Sequence, residues 1–106
     1  MDDLRARHCE RCVDGMPKLD AVAVAGLAPA VPAWSTAGER LRRKFVFRDF
    51  VEAMHFVNRM AEVAEREDHH PDFCVHYREV EVTIWTHAAG GLTENDFILA
   101  AKIDAL

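Results

Sequence analysis

LRRKFVFRDFVEAMHFVNRMAEVAER, residues 41–66, contains a strand, a helix start and a helix in that order. Leu41, Phe45 and Phe47 fall on one side of an alternating run, with Arg42 and Lys44 on the other, as in a half-buried strand. Asp49 followed by Glu52 reads as a capping box. Phe50, Met54, Val57, Ala61 and Ala64 then recur at helical spacing, which predicts an amphipathic helix to about Arg66 that packs on this face.

Downstream, Pro71 ends that helix and biases His70 toward extended backbone. Phe73–Tyr77 reads as a short strand. Glu79–Thr86 alternates strictly, with Val80, Val82 and Ile84 on one face and Glu81, Thr83 and Trp85 on the other. Gly90-Gly91 breaks the chain, and Thr93 with Asp96 makes a second capping box for a helix to the C-terminus. Upstream, Ala33–Ser35 is a candidate fourth strand, with Trp34 and Phe73 read as core or hairpin residues. Asp20 caps a short helix over roughly Ala21–Ala28, which Pro29 and Pro32 close. The order is helix, strand, strand, helix, strand, strand, helix. It predicts an α+β domain, with a four-stranded antiparallel sheet and three helices packed on one face.

The chain has 106 residues, half of them hydrophobic, which suits one small domain with its own core. Its net charge of −5 argues against a nucleic-acid or anionic-membrane binder. Ala21–Gly38 is uncharged, but its two prolines and two glycines make it a poor spanning helix. Asp2, Asp3, Arg5 and Arg7 stand where an apolar leader would begin, so a reducing cytoplasm is the expected location. Residues 1–15 read as a polar N-terminal arm and 16–106 as the domain. The arm is expected to be mobile, to expose Cys9 and Cys12, and to be dispensable. Its His8, Cys9 and Cys12 supply half a zinc site at most: no second Cys or His pair follows at a finger-like spacing, and no metal is expected.

Three of the six histidines draw attention. His69 and His70 lie at the end of the long helix, and His87 follows the last strand. Glu65 is one helical turn before His69, and Glu67 and Asp68 add negative charge; carboxylates and a helix C-terminus both suit a proton-donating imidazole. Taken alone, a His-His-Pro run is more often a solvated helix terminus, and Asp96 more often a simple capping residue.

The combined pattern is more specific. Glu65, His69-His70-Pro71, Tyr77, His87 and Asp96 occupy seven positions whose spacing resembles the signature of the pterin-4a-carbinolamine dehydratases. Residues 41–50, Thr86-His87, Gly91-Leu92-Thr93 and Asp96 look like that family's second strand, last strand end and final helix. The resemblance spans about Trp34–Leu106 and is looser before it, although some bacterial members also begin with a Cys-x-x-Cys arm. It implies dehydration of 4a-hydroxytetrahydropterin to quinonoid dihydropterin, the step that recycles the pterin of aromatic amino acid hydroxylases. By resemblance, His69 and His87 are the acid/base pair and His70 orients the pterin. Glu65, Asp68 and Asp96 tune or hold the imidazoles and ring nitrogens, Pro71 fixes the backbone, Phe73 walls the pocket, and Thr86 stands beside the substrate. No cofactor, metal or covalent nucleophile is implied.

An alternative is a non-catalytic binding module. Some animal relatives are dimerisation cofactors for a homeodomain transcription factor, and some carboxysome-associated relatives are proposed assembly factors. Its basis in this chain is the last helix, where Phe97, Ile98, Leu99, Ala100, Ala101, Ile103, Ala105 and Leu106 run nearly all the way round. That surface predicts a homodimer or dimer of dimers, with an aromatic amino acid hydroxylase as a possible pathway partner.

Overall fold

A computed structural model describes residues 3–106. The elements are α1 (Ala21–Leu27), β1 (Leu41–Val46), α2 (Phe50–Glu67), β2 (Asp72–His76), β3 (Glu79–Ile84) and α3 (Glu94–Asp104), with single 3-10 turns at Leu4–Ala6, Ala28–Ala30, Ala37–Glu39 and His87–Ala89. The sheet is antiparallel in the order β1-β3-β2. Leu41 pairs with Ile84 and Phe45 with Val80 on one side of β3, and Phe73 with Val82 and Val75 with Val80 on the other. The class is α+β, but the sheet has three strands rather than four. The expected strand at Ala33–Ser35 reduces to one bridge between Ser35 and Arg42. The cause is local: Val31–Trp34 turns, with the Trp34 amide donating to the Val31 carbonyl, so too little extended chain remains to form a ladder.

One face of the sheet carries the core. Leu41, Val80, Val82 and Ile84 are buried on it against Phe56, Met60 and Val63 of α2 and Phe97, Ile98 and Leu99 of α3. Of the three helices, α2 and α3 contribute buried residues to that core and α1 contributes none. Trp34 is buried with its indole N–H donating to Asp104 Oδ1 at 2.8 Å, which joins the turn before β1 to the end of α3.

Helix α2 begins where predicted. Asp49 Oδ1 accepts from the Glu52 amide at 2.8 Å, while Glu52 reaches back to the Arg48 amide rather than to Asp49. Its buried stripe is rotated from the predicted one. Ala53, Phe56, Val57, Met60, Val63, Ala64 and Glu67 face inward, whereas Phe50 and Ala61 are exposed. Both stripes contain Val57 and Ala64, so spacing fits either. The larger side chains Phe56, Met60 and Val63 decide which one packs, because they remove more apolar area from water.

The amino-terminal segment is docked, not a mobile arm. Leu4 is 5% exposed and belongs to the core. Glu67, inward-facing at the end of α2, accepts from the Cys9 amide at 2.8 Å and contacts His8 Nδ1 at 2.9 Å. Lys102 donates to the Arg5 carbonyl at 2.8 Å and lies 3.7 Å from Glu67. Cys9 and Cys12 are half-buried, with Cys74 the exposed thiol. The docked segment covers the side of α3 that seemed to want a partner: every α3 residue from Asn95 to Ala101, and Ile103, is buried within one chain. Among the described residues, no helix is long and apolar enough to cross a membrane.

Two outcomes follow. Leu99→Asp or Ile103→Asp places a charge where exposure is 0–1% and should cost more than about 4 kcal/mol, so circular dichroism should show a lost cooperative melt rather than a dissociated, folded subunit. Burial pushes the Glu67 carboxyl up, but the Cys9 amide, His8 and Lys102 together outweigh it and hold the group below its ordinary 4.5. Its contribution is therefore present above that value and lost as pH falls through the depressed one. The difference in melting temperature between the parent chain and Glu67→Gln should be clear at pH 7 and shrink in acid.

Candidate functional site

The end of α2 determines where the histidines go. Asp68 takes the left-handed conformation, φ 50° and ψ 42°. Its amide donates to the Glu65 carbonyl, and the His69 amide donates to the Ala64 carbonyl. That pair of bonds is a Schellman motif, with Asp where Gly is usual. The reversal throws consecutive residues to opposite sides: His69 is buried and His70 exposed.

His69 is 5% exposed, and its Nε2 lies 2.6 Å from Asp96 Oδ1. Asp96 is fully buried in the first turn of α3. Its Oδ2 accepts from the Thr86 hydroxyl and the Thr93 amide, both at 2.8 Å. Since the Thr86 proton goes to the carboxylate, Thr86 Oγ1 accepts from the Thr93 hydroxyl, also at 2.8 Å. With Oδ2 taken by these donors, Asp96 Oδ1 accepts from Nε2–H of His69, which leaves Nδ1 as the ring nitrogen with a bare lone pair. The capping box read between Thr93 and Asp96 is present, and its carboxylate also holds a histidine.

Glu65 pairs with His70, not with His69: its Oε2 is 2.5 Å from His70 Nε2. The helix ends before His69 can lie one turn from Glu65. His87 opens the turn after β3 and is exposed, its ring 3.7 Å centroid to centroid from Trp85. Gly90 closes that turn at φ 68°, a conformation glycine adopts without strain. The Arg40 guanidinium lies 3.5 Å from the Trp85 ring centroid, so Trp85 sits among Arg40 and His87.

These groups surround a cleft of about 440 Å³ lined by Asp68, His69, His70, Pro71, Thr86 and His87. Cys12, Asp14, Asp72, Trp85 and Ala88 complete the lining. Asp96 supports the site from behind His69, and Glu65 supports it through His70. Phe73 is outside the lining, 44% exposed on the edge strand, and does not wall the cleft within one chain. Tyr77 is an exposed residue of the β2–β3 turn, at φ 54°. Among the described residues, no group of three His, Cys, Asp or Glu side chains is placed to hold a metal ion. A second hollow of about 380 Å³, between α1 and the Thr36–Glu39 turn, is lined by Leu19, Val24 and Leu92 and has Glu39 as its one titratable side chain. The histidine cleft is the chemically equipped one.

Among the cleft-lining residues, sequence reasoning missed Trp85, Asp72, Ala88, Cys12 and Asp14. Trp85 could have been found as the last residue on the polar face of the alternating run, two before His87. Cys12 and Asp14 carried no such signal, because only the docking of the arm brings them to the cleft.

The model of the pterin 4 alpha carbinolamine dehydratase family matches residues 17–106. A protein of Dechloromonas aromatica, provisionally named pterin-4-alpha-carbinolamine dehydratase, is 46% identical over 98% of this chain and 93% of its own length. One of the same name from Halorhodospira halophila is 48% identical over 97% of this chain and 96% of its own. The crystal structure of a transcriptional coactivator/pterin dehydratase from Brucella melitensis is 34% identical, with a TM-score of 0.79 over 83% of this chain and 96% of that one. The fold, the histidine cleft and these relationships agree that the chain belongs to the pterin-4a-carbinolamine dehydratase family.

Proposed function

We propose that the cleft dehydrates a 4a-hydroxytetrahydropterin to the quinonoid dihydropterin. The observation that carries this reading is the convergence of His69, His70 and His87 on one cleft with Asp96 bound to His69. The reaction needs an acid to protonate the departing hydroxyl, so that the carbon–oxygen bond breaks and the oxygen leaves as water. It needs a base to take the proton from the neighbouring ring nitrogen, whose electron pair closes the carbon–nitrogen double bond. Imidazoles suit both tasks near neutral pH.

His69 serves as the base through Nδ1: Asp96 orients the ring and stabilises the imidazolium it becomes. His87, on the exposed turn, serves as the acid. His70, held by Glu65 at the rim, orients the pterin, with Asp68, Pro71 and Thr86 shaping the floor. The exposed His70–Glu65 pair contributes little to stability, so its place at the rim is better explained by binding. The physiological setting is recycling of the pterin of an aromatic amino acid hydroxylase in the cytoplasm.

The binding-module reading is less supported than the sequence suggested, because α3 from Asn95 to Ala101, with Ile103, is covered within one chain and only Ala105 and Leu106 of that run are exposed. A homodimer or dimer of dimers remains part of the proposal, with the open edge of β2, where Phe73 and Cys74 are exposed, as the available pairing surface.

The test is a dehydration assay on 4a-hydroxytetrahydropterin generated in situ. His69→Ala and His87→Ala should each lower turnover, by on the order of 10²–10⁴ for a full acid/base contribution and less where the unaided reaction competes. His70→Ala should mainly raise KM. Combining His69→Ala with His87→Ala should abolish nearly all catalysis. A folded double variant with parental turnover would remove this assignment, and an inactive parent chain would return the binding module to first place.

A further inference from the structure

The family match begins at residue 17, yet two cleft-lining residues precede it. The arm reaches the cleft along a defined path. Asn95, buried in the first turn of α3, grips the Glu10 backbone from both sides: its Oδ1 accepts from the Glu10 amide at 2.9 Å and its Nδ2 donates to the Glu10 carbonyl at 2.8 Å. Beyond the cleft, the Gly15 amide donates to the Ala88 carbonyl at 3.1 Å, beside His87, with Gly15 at φ 82°. Between these anchors the chain crosses the site and places Cys12 Sγ 3.7 Å from His69 Nδ1.

We propose that the arm is part of the active site and that Cys12 is a positioning residue for His69, its thiol donating to Nδ1 and holding the ring in the Nε2–H tautomer. The proposal rests on the reading of His69 as the base. The geometry assigns the direction of the bond. Asn95 Nδ2 also lies 3.6 Å from Cys12 Sγ, so the sulfur accepts from the amide while its own hydrogen remains free to donate. Asp96 takes Nε2–H on the other side of the ring. The two contacts select the same tautomer, one accepting from the protonated nitrogen and one donating to the bare nitrogen. Substrate then competes with a weak S–H donor for Nδ1, rather than with a strong one. Cys9 has a different part: burial first, then the charges of Glu67 and Asp96, push its thiol up to about 12, and its Sγ faces the Asn95 carbonyl at 3.5 Å. It packs the arm. The arm expected to be dispensable thus becomes a wall of the site.

The experiment uses the full chain with 15N-labelled histidine, in which two-bond proton–nitrogen spectra read the tautomer of His69, alongside the dehydration assay. The parent chain should show His69 protonated at Nε2 with Nδ1 bare. Cys12→Ala, and Cys12→Val as a filled but non-donating replacement in case the smaller side chain releases the arm, should shift the Nδ1 resonance and mix in the other tautomer. Both should lower kcat by about tenfold, the equivalent of one modest hydrogen bond, with KM nearly unchanged. Cys12→Ser, which keeps a donor, should restore much of both. Protection of the Cys9 amide from exchange reports that the arm is still docked. A parental His69 spectrum in a docked Cys12→Val chain overturns the proposal, as does parental kcat in that chain. A spectrum that responds to Cys12 in a parent chain without dehydratase activity would instead overturn the proposed function and leave the Cys12–His69 contact standing.

Discussion

A fully buried carboxylate must be satisfied on every side, and Asp96 organises the structure around that requirement. Its partners come from three places: His69 from just past α2, Thr86 from just past β3, and Thr93 from the start of α3 itself. Loss of any one leaves a buried charge short of a donor, a large penalty compared with the small net stability of a domain this size. The network therefore ties together the ends of the elements that also pack the core. The site lies where it does because that is where the three chain segments meet.

The same junction explains the division of labour among neighbouring residues at the end of α2. Glu67 points inward and binds the arm, Asp68 reverses the backbone, His69 points inward to Asp96, and His70 points out to Glu65. A regular helix would have separated His69 and His70 by about 100° on one surface. The left-handed residue between Glu67 and His69 instead puts one imidazole in the protein interior and the next at the rim. One is held by Asp96 in the interior, and the other pairs with Glu65 at the exposed rim of the cleft.

Burial of α3 also changes how its composition is understood. A helix that is apolar nearly all round is buried or partnered. Here the chain supplies the cover itself, through the sheet, α2 and the segment around Leu4, held by Glu67 and Lys102. The way the arm is held is the reason this was hard to foresee: side chains of Lys102, Glu67 and Asn95 bind its backbone at Arg5, Cys9 and Glu10, and hydropathy alone does not register such contacts. The contact between Trp34 and Asp104 does similar work at the other end of α3, giving a buried indole N–H its acceptor.

The sequence by itself determined the element order from β1 onward, the alternation of β3, the starts of α2 and α3, and the spacing of Glu65, His69, His70, His87 and Asp96. Each of these depends on local periodicity or on residues a few positions apart, where backbone geometry leaves few choices. Tertiary structure decided the rest. It chose the stripe of α2 that packs, because bulk at Phe56, Met60 and Val63 counts only against a particular sheet. It reduced the expected first strand to one bridge at Ser35, because a strand exists only where a neighbour pairs with it. It moved Glu65 from His69 to His70 through a single left-handed residue, and it brought Cys12 beside His69 across 57 positions of chain. Contacts of that separation are fixed by the packed shape of the whole domain, and no local pattern encodes them.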